Sequence, residues 1–375
     1  MSITIREVKT KSGYKEFVKF QFDLYKENKY WVPPLIKDEI NALDSSKNPA
    51  YSFCKAKHWI AYKDNKPAGR ISAIINSKYN QKVGKQTGRF SRLEFIQDQD
   101  VLNKLFETAE NWLKQHEVEL VYGPLGFSNL DTQGLLIEGF NYLPSIASVY
   151  HLPYYKEMIE QCGYEKEIDW VEFRLTVGEK AINKASRGAQ LIQKRYGIEV
   201  LHFNNTSELK PYSKLIFEIL NDAFQDLPFT APFSNEMMDY YAEKYLSVLN
   251  PEFVKMVKLK DEVIGFVVGM PSMSEAMQKA KGKLFPFGFI HLLKAKKGKT
   301  TDTMDQLLTG VLKEHQATGA GVILMAELQN AMLKHNMKYI ETTGIFETNT
   351  NAISNWKNYD HIQHKRRRAF VKKLK

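Results

Sequence analysis

Polar and apolar residues alternate along two segments of the chain that share one layout. Residues 59–75 (WIAYKDNKPAGRISAII) and 254–270 (VKMVKLKDEVIGFVVGM) each contain an alternating run, a Lys-Asp pair, a short turn and a glycine that opens a second apolar run. Alternation on both sides of a short turn is typical of a β-hairpin, because successive side chains of a strand point to opposite faces. The sequence therefore predicts one hairpin in each half of the chain.

Apolar residues at helical spacing follow each predicted hairpin. The helical pattern covers 101–116 in the first half and 321–335 in the second, and strand-like runs follow at 120–122 and 339–346. A strand-like run and helical material also precede each hairpin. The order strand, helix, hairpin, strand, helix, strand thus occurs twice, which predicts a duplicated α/β unit.

A segment rich in alanine and lysine separates the two copies. Residues 179–196 carry no aromatic residue before Tyr196, and we interpret them as a linker helix. The predicted domains are therefore 1–178 and 197–375, in an α/β (α+β) protein. A chain of 375 residues is long enough to give each domain its own core.

The composition is that of a soluble globular protein, with 43% hydrophobic and 26% charged residues. Two cysteines, Cys54 and Cys162, provide neither a disulfide framework nor a metal-ligand cluster. We therefore expect a reducing compartment and no bound metal. The N-terminus lacks a signal-peptide pattern and the longest apolar stretches are too short to span a bilayer, so a cytoplasmic protein is expected.

Positive charge is unevenly distributed along the chain. Lysine and arginine number 53 against 43 acidic residues, and the excess lies in the C-terminal HKRRRAFVKKLK and around residues 281–299. A basic balance favours anionic partners such as nucleic acid, phospholipid or a phosphate-rich cofactor, although solvated lysines explain it more simply. The apolar residues within 281–299 could contact a membrane surface or cover an acyl chain. Pro286 and the internal glycines argue against a regular amphipathic helix there.

A bend of small residues joins the strand-like run at 307–312 to the second long helix. Residues 315–321 read HQATGAG. Glycines at such a junction let the backbone approach a ligand, and the unpaired amides of a helix N-terminus favour a pyrophosphate. A Walker loop is excluded because no Gly-Lys-Ser/Thr follows, and the glycine spacing does not match a dinucleotide fingerprint. When the bend is considered by itself, a tight turn that requires glycine explains it equally well.

The wider context of this bend resembles the GNAT N-acetyltransferase superfamily. Within VLKEHQATGAG, Gln316, Gly319 and Gly321 match that family's acyl-CoA loop, Gln/Arg-x-x-Gly-x-Gly/Ala. The second GNAT signature is Asn-x-x-Ala followed by an aromatic residue, and ETNTNAISNWKNY matches it with Asn349 and Trp356. The stretches YWVPPLIKDE, GPLGFSNLDTQGLLIEGF and YHLPYYKEMIEQCGYEK are most similar to bacterial tandem acetyltransferase-like proteins.

The resemblance implies two tandem GNAT-like domains, each with a mixed central β-sheet flanked by helices. It also implies that the C-terminal domain binds acetyl-CoA or another acyl-CoA as cosubstrate. The cofactor-binding residues implied in this way are Val311, Leu312, Gln316, Ala317, Thr318, Gly319, Ala320, Gly321, Asn349 and Trp356.

The first half departs from this pattern at the equivalent junction. Residues 92–104 (RLEFIQDQDVLNK) contain no glycine and carry acidic residues at positions 94, 98 and 100. Acidic side chains at a helix start favour the helix dipole but repel a pyrophosphate. We therefore expect no CoA in this half, which would serve packing and the shape of the acceptor site. Polar and aromatic residues at 128–131 and 150–155 could line an acceptor pocket, and loop capping explains them equally well.

Acyl transfer to an amine needs a proton acceptor and a proton for the leaving thiolate. The resemblance implies a tyrosine as the acid, but the chain has Trp356, whose indole N–H is no acid near neutral pH. Tyr359 is the predicted substitute, although both rings could simply pack the sheet edge. Glu341 and Glu347 are the candidate bases, since an unbroken strand would place them on one face; a solvated pair at a strand end is an equal alternative. His315 is interpreted as a surface residue.

These features predict an acyl-CoA-dependent N-acyltransferase, most simply an acetyltransferase, acting on an amine of a small-molecule or peptide acceptor. Two alternatives stay open. Trp356 at the acid position suggests a non-catalytic acyl-CoA-binding protein. An aminoacyl-tRNA-dependent transferase of the peptidoglycan type would suit the basic C-terminus but would not need the CoA loop, so nucleic acid is not the expected partner.

Overall fold

A computed structural model describes residues 2–374, except for the side chains of residues 180, 357 and 358. The helices are α1 (Lys11–Leu24), α2 (Ile36–Leu43), α3 (Ser77–Val83), α4 (Gln99–Lys114), α5 (Tyr155–Gln161), α6 (Glu179–Tyr196), α7 (Thr206–Leu209), α8 (Ser213–Phe224), α9 (Asn235–Leu246), α10 (Ser274–Ala280), α11 (Gly288–Lys296), α12 (Ala320–Lys334) and α13 (Thr350–Ser354). No helix in this part of the chain has the length and apolar character needed to cross a membrane.

The strands confirm the mixed α/β architecture expected from the duplicated pattern. They are β1 (Ile3–Glu7), β2 (Cys54–Lys63), β3 (Lys66–Asn76), β4 (Thr87–Phe95), β5 (Leu120–Gly123), β6 (Leu135–Glu138), β7 (Glu165–Thr176), β8 (Ile198–Leu201), β9 (Val254–Leu259), β10 (Glu262–Pro271), β11 (Thr303–Val311), β12 (Tyr339–Thr342), β13 (Ile345–Phe346) and β14 (Asp360–Lys373). Both predicted hairpins are present, as β2–β3 and β9–β10.

The chain forms two compact units. The first unit comprises residues 1–171, 277–288 and 365–375, and the second comprises 172–276 and 289–364. The predicted linker helix at 179–196 is α6, which lies in the second unit and packs against α12.

In the first unit the strands follow the order β1, β2, β3, β4, β5 and the C-terminal part of β14. Neighbours are antiparallel except for β4 and β5, which run parallel. The helix α4 joins these two strands and buries Leu102, Leu105 and Phe106 against the sheet. The core of this unit therefore lies between α4 and the β2–β3–β4 surface.

The second unit repeats this arrangement with the order β8, β9, β10, β11, β12 and the end of β7. Here β11 and β12 form the parallel pair, and α12 joins them. Ile323, Leu324 and Leu328 of α12 are fully buried. Each unit thus carries a mixed sheet flanked by helices, as predicted.

Each unit has a β-bulge beside its parallel pair. In the first unit Arg70 pairs with Glu94 but Ser72 pairs with Ser91, so β4 has one residue more than β3, and Arg92 there has φ +48°. In the second unit the pairing of β10 with β11 skips Leu307 in the same way. Bulges bend a strand and often lie next to ligand sites.

Past each bulge the parallel strands separate. Pairing of β4 with β5 covers only 87–89, although β4 continues to Phe95, and pairing of β11 with β12 covers only 303–306, although β11 continues to Val311. We call these two openings the first fork and the second fork. Since backbone groups there lack a strand partner on one side, a fork can accept an extended or polar ligand.

Two parts of the chain differ from the sequence prediction. The run at 339–346 is not one strand, because Thr343 turns away and bonds to β11 through its amide, 3.4 Å from the Gln306 carbonyl, and its hydroxyl, 3.2 Å from the Leu307 carbonyl. In the segment 281–299, a short helix, α11, does form after Pro286.

The basic C-terminus is a strand whose charges are used within the first unit. Arg366 and Arg368 both bond to the buried Asp169, at 3.1 and 2.9 Å, and Lys372 contacts Glu110 at 2.8 Å. A cation held by a carboxylate is less available to an anionic partner. Arg366, Arg368 and Lys372 are therefore engaged within the first unit.

Candidate functional site

The predicted CoA loop connects β11 to α12 in the second unit. After Val311 the Leu312 amide donates to the Ile264 carbonyl at 2.9 Å, a 3₁₀ turn covers Lys313–Thr318, and α12 begins after Gly319. The loop holds its own shape: the Gln316 amide donates to the Val311 carbonyl at 3.3 Å, and the Thr318 hydroxyl accepts from the Ala320 amide at 3.3 Å. Gln316 and Thr318 therefore have structural partners inside the loop.

The two glycines of the motif lie in different environments. Gly319 has φ +86°, and a Cβ there would lie 2.8 Å from the Ile192 side chain of α6. Gly321 has ordinary backbone angles and no atom within 4 Å of the position of a Cβ. The fold itself therefore requires glycine at 319, whereas the absence of a side chain at 321 leaves open space beside the helix start.

The N-terminus of α12 is only lightly capped. Its N-cap residue, Gly319, has no side chain, the neutral Thr318 hydroxyl accepts from the Ala320 amide, and the first turn contains no acidic residue. The first amides of a helix point outward and carry about half a positive charge together. This end of α12 can therefore attract an anionic oxygen.

The second signature folds as a capped short helix followed by a buried indole. The Asn349 side chain accepts from the Ala352 amide at 3.1 Å, so Asn349 is the N-cap of α13 and accounts for the Asn-x-x-Ala spacing. Trp356 is only 5% exposed, and its indole N–H has no hydrogen-bond partner within residues 2–374. A buried donor without a partner costs free energy, which a ligand acceptor would recover.

Tyr359 contacts both the Trp356 ring and α12. The ring centroids are 6.3 Å apart, and the Tyr359 hydroxyl accepts a hydrogen bond of 2.7 Å from the amide of the buried Gln329. Burial raises the pKa of Tyr359, against the opposing effect of Gln329, so its hydroxyl keeps its proton in the neutral range. Because that hydroxyl accepts from Gln329, its own proton remains available to another group.

The two predicted bases have different surroundings. Glu341 is 5% exposed; one carboxylate oxygen lies 2.6 Å from Arg174 Nε and the other 2.5 Å from His364 Nε2. Glu347 lies in the partly exposed turn after β13. The strand break at Thr343 removes the shared face that an unbroken strand would have given these two carboxylates.

The sequence prediction missed His364, which is fully buried beside Glu341. It stands in the segment that was interpreted only as a basic C-terminus. The alternation of polar and apolar residues around Phe370 was the available signal for a strand there. His315, interpreted as a surface residue, is 18% exposed with Glu262 at 3.7 Å and Glu314 at 3.6 Å.

The polar loops of the first unit divide into a capped turn and a pocket wall. Asp131 accepts from the Ser128 amide at 3.0 Å, so capping accounts for 128–131. Tyr150 and His151 instead line a pocket that lies within the first unit. Pocket-lining residues were expected at 150–155, together with capping as an equal alternative.

Two curated proteins are similar to the chain along most of its length. Protein YghO from Escherichia coli (strain K12) is 28% identical over 375 residues, which cover 99% of this chain and 95% of that protein. The bacterial ceramide synthase of Caulobacter vibrioides (strain NA1000 / CB15N) is 28% identical over 334 residues, which cover 86% and 84%. No family model matches the chain.

Solved structures show which fold the two units share. A tandem GNAT protein from the clavulanic acid biosynthesis pathway superposes with a TM-score of 0.58 at 12% identity, over 99% of this chain and 98% of that one. A GCN5-related N-acetyltransferase from Anabaena variabilis gives a TM-score of 0.53 at 6% identity, over 100% of this chain and 73% of that one. The chain therefore has the tandem fold of the GCN5-related N-acetyltransferases.

Proposed function

We propose that the protein is an acyl-CoA-dependent N-acyltransferase whose cosubstrate binds in the second unit. The observation that carries this proposal is the N-terminus of α12, which has no acidic residue in its first turn and open space at Gly321, at the mouth of the second fork. A pyrophosphate would accept from the amides of Gly319 and Gly321, because Thr318 already accepts from that of Ala320. An extended pantetheine arm would pair with the edge of β11 between Leu308 and Val311.

The side chains near this fork fit the chemistry of amide formation. When bound, an acyl-CoA thioester supplies an activated acyl group and a thiol leaving group. Tyr359 holds a proton at its hydroxyl, oriented by Gln329, that can neutralise a departing thiolate. Trp356 offers an indole N–H without a protein partner. Glu341, bonded to Arg174 and His364, is suited to positioning. The partly exposed Glu347 is the candidate proton acceptor.

The assignment of the loop is tested by substituting Gly321 rather than Gly319. In Gly321→Val the new side chain fills open space, so the free protein should keep its melting temperature. The rise in melting temperature on adding CoA should be lost, whereas the parent should gain about 2.7 kcal/mol at 100 times Kd. The matched control is Gly178→Val, since Gly178 also has no atom within 4 Å of a Cβ and lies at the start of α6. A Gly321→Val variant that responds to CoA like the parent would exclude this loop.

The chemical class of the acceptor amine can be proposed from the name of one relative and from one surface of the first unit. The Caulobacter relative is named a ceramide synthase, and a ceramide is a long-chain amine carrying an N-acyl group. In the first unit Phe285 is 75% and Phe287 68% exposed, next to Lys281 and Lys283. We propose a long-chain lipid amine as the acceptor class, presented at a membrane or micelle surface. Turnover with a long-chain amine but not with a short-chain amine would support this acceptor class. Turnover with the short-chain amine alone would instead indicate a small soluble amine.

A further inference from the structure

The pocket lined by Tyr150 and His151 lies within the first unit, and its wall contains no residue that was predicted to bind CoA. Its volume is about 140 Å³, and its wall includes residues 91–94 of β4 at the bulge, Pro124 after β5, and the loop 144–151. It therefore occupies the first fork. At the start of α4, Asp98 already accepts from the amides of Asp100 and Val101, so no pyrophosphate is expected there.

Three residues of this pocket's wall each carry a buried polar atom without a partner among residues 2–374. Gln21 is 6% exposed, Arg70 2% and Ser145 7%. The Gln21 amide nitrogen, the Arg70 Nε and the Ser145 hydroxyl have no hydrogen-bond partner within residues 2–374. All three can donate a hydrogen bond, and a native protein rarely buries such groups unsatisfied.

His151 adds a fourth donor to the same wall. Its Nδ1 accepts from the Leu136 amide at 3.1 Å. Burial, with Arg367 and Arg70 nearby, lowers the pKa of His151 to about 3, so the ring is neutral at pH 7. A neutral imidazole that accepts at Nδ1 carries its proton at Nε2.

The carboxylates of the pocket are already occupied by protein groups. The hydroxyls of Tyr25 and Tyr155 donate to one oxygen of Glu94 at 2.6 and 2.7 Å, while Arg70 lies 3.8 Å from the other oxygen. Arg92 bonds to Glu39 at 3.1 Å. The charges of the two guanidinium groups and the two carboxylates cancel. The buried atoms of Gln21, Arg70 and Ser145 that still lack a partner can all donate hydrogen bonds.

We propose that the first fork binds a small carboxylic acid in its ionised form. A carboxylate is an acceptor-only group with about four lone-pair sites, which matches donors from Gln21, Arg70, Ser145 and His151. The pocket has room for a compact molecule. The inference does not depend on the function proposed for the second unit.

The test removes two donors that have no hydrogen-bond partner among residues 2–374. Gln21→Met and Ser145→Ala keep the approximate side-chain size, and the free variants should melt at the same temperature as the parent or higher, because an unsatisfied buried group is lost. The probes are acetate, glycine and succinate. Their binding to the full chain is measured by NMR titration. Each variant should bind the probe that the parent binds most tightly with an affinity lower by at least about tenfold, or ~1.4 kcal/mol.

Matched controls separate recognition from general polarity. Ser234→Ala removes another unpartnered hydroxyl, in the second unit, and should bind the probe like the parent. Acetamide has the shape of acetate without its charge and should not bind. Equal binding of acetamide, tighter binding of inorganic phosphate, or parent-like affinity in both pocket variants would overturn the proposal. So would failure of every carboxylate to bind at up to about 50 mM, a concentration that suffices for weak ligands of this size.

Discussion

The helices α4 and α12 occupy equivalent places in the two units but begin in opposite ways. At α4 the Asp98 carboxylate accepts from the amides of Asp100 and Val101, at 3.0 and 3.2 Å, and also contacts Lys63. At α12 the equivalent position is Gly319, which has no side chain, and the Ala320 amide donates to the neutral Thr318 hydroxyl at 3.3 Å. One fold can therefore cap its helix start with a carboxylate or leave room there for an anionic ligand, and the residue at the N-cap differs accordingly.

The tyrosine hydroxyls of the two units also differ in whether their protons are bonded to a carboxylate of the protein. Tyr25 and Tyr155 donate their protons to the buried Glu94, and burial together with that carboxylate raises the pKa of each well above its usual value. Tyr359 instead accepts from Gln329. A proton held by a carboxylate is committed to structure, so Tyr359 can offer its proton to another group whereas Tyr25 and Tyr155 cannot.

The largest expected effect comes from giving α12 the acidic start of α4. Val322 is 42% exposed in the first turn of α12. In Val322→Asp, CoA affinity should fall roughly tenfold to hundredfold, since a unit charge near an anion at the surface costs about 1–3 kcal/mol. The helix itself should gain about 0.3–1 kcal/mol from the dipole. Calorimetric titration with CoA measures the first effect and urea unfolding the second.

Val322→Thr is the matched uncharged control and should bind CoA like the parent. Raising the salt concentration should shrink the defect of the Asp variant, because exposed charges are screened. An Asp variant with unchanged affinity would mean that the start of α12 does not meet the pyrophosphate.

The next effect concerns the available phenol proton. Tyr359→Phe should lower kcat at least roughly tenfold, with little change in CoA affinity, because general acid catalysis is typically worth about 10²–10⁴-fold. The substitution also leaves the Gln329 amide without its partner. The double variant Tyr359→Phe with Gln329→Leu removes both polar groups and should recover stability without recovering rate. If the double variant recovered kcat, the loss would be one of packing and not of proton transfer.

Local periodicity was enough to predict the duplicated architecture. The alternation in β2–β3 and β9–β10 and the helical spacing in α4 and α12 depend on neighbours in sequence, and these elements form within a few residues of the expected positions. The break at Thr343 was not predictable in this way. It arises because β11, a separate segment, offers the carbonyls of Gln306 and Leu307.

The site was less predictable because its partners lie far apart in sequence. Arg174 and His364 both reach Glu341, and neither stands near it in the chain. The motif Gly-x-Gly likewise gave equal weight to two glycines, whereas Ile192 of α6 fixes one of them as structural. Pattern reasoning finds such a loop, but only tertiary contacts tell which of its residues face a ligand.

The smallest expected effect tests the internal cap of α4. Asp98→Ala removes the N-cap and should cost about 1 kcal/mol, whereas Asp98→Asn keeps a capping oxygen and should lose only the charge. Lys63, helped by the amides of Val101 and Asp100, holds the pKa of Asp98 below its usual value. A depressed pKa means that the stabilisation by the charge is complete above the unfolded-state value of about 3.9 and is lost as the pH falls through the folded-state value. The difference between parent and Asp98→Asn in urea unfolding should therefore be constant near neutral pH and shrink below about pH 4. A difference that stays constant into strong acid would show that the carboxylate charge contributes nothing and that α4 is held by the cap geometry alone.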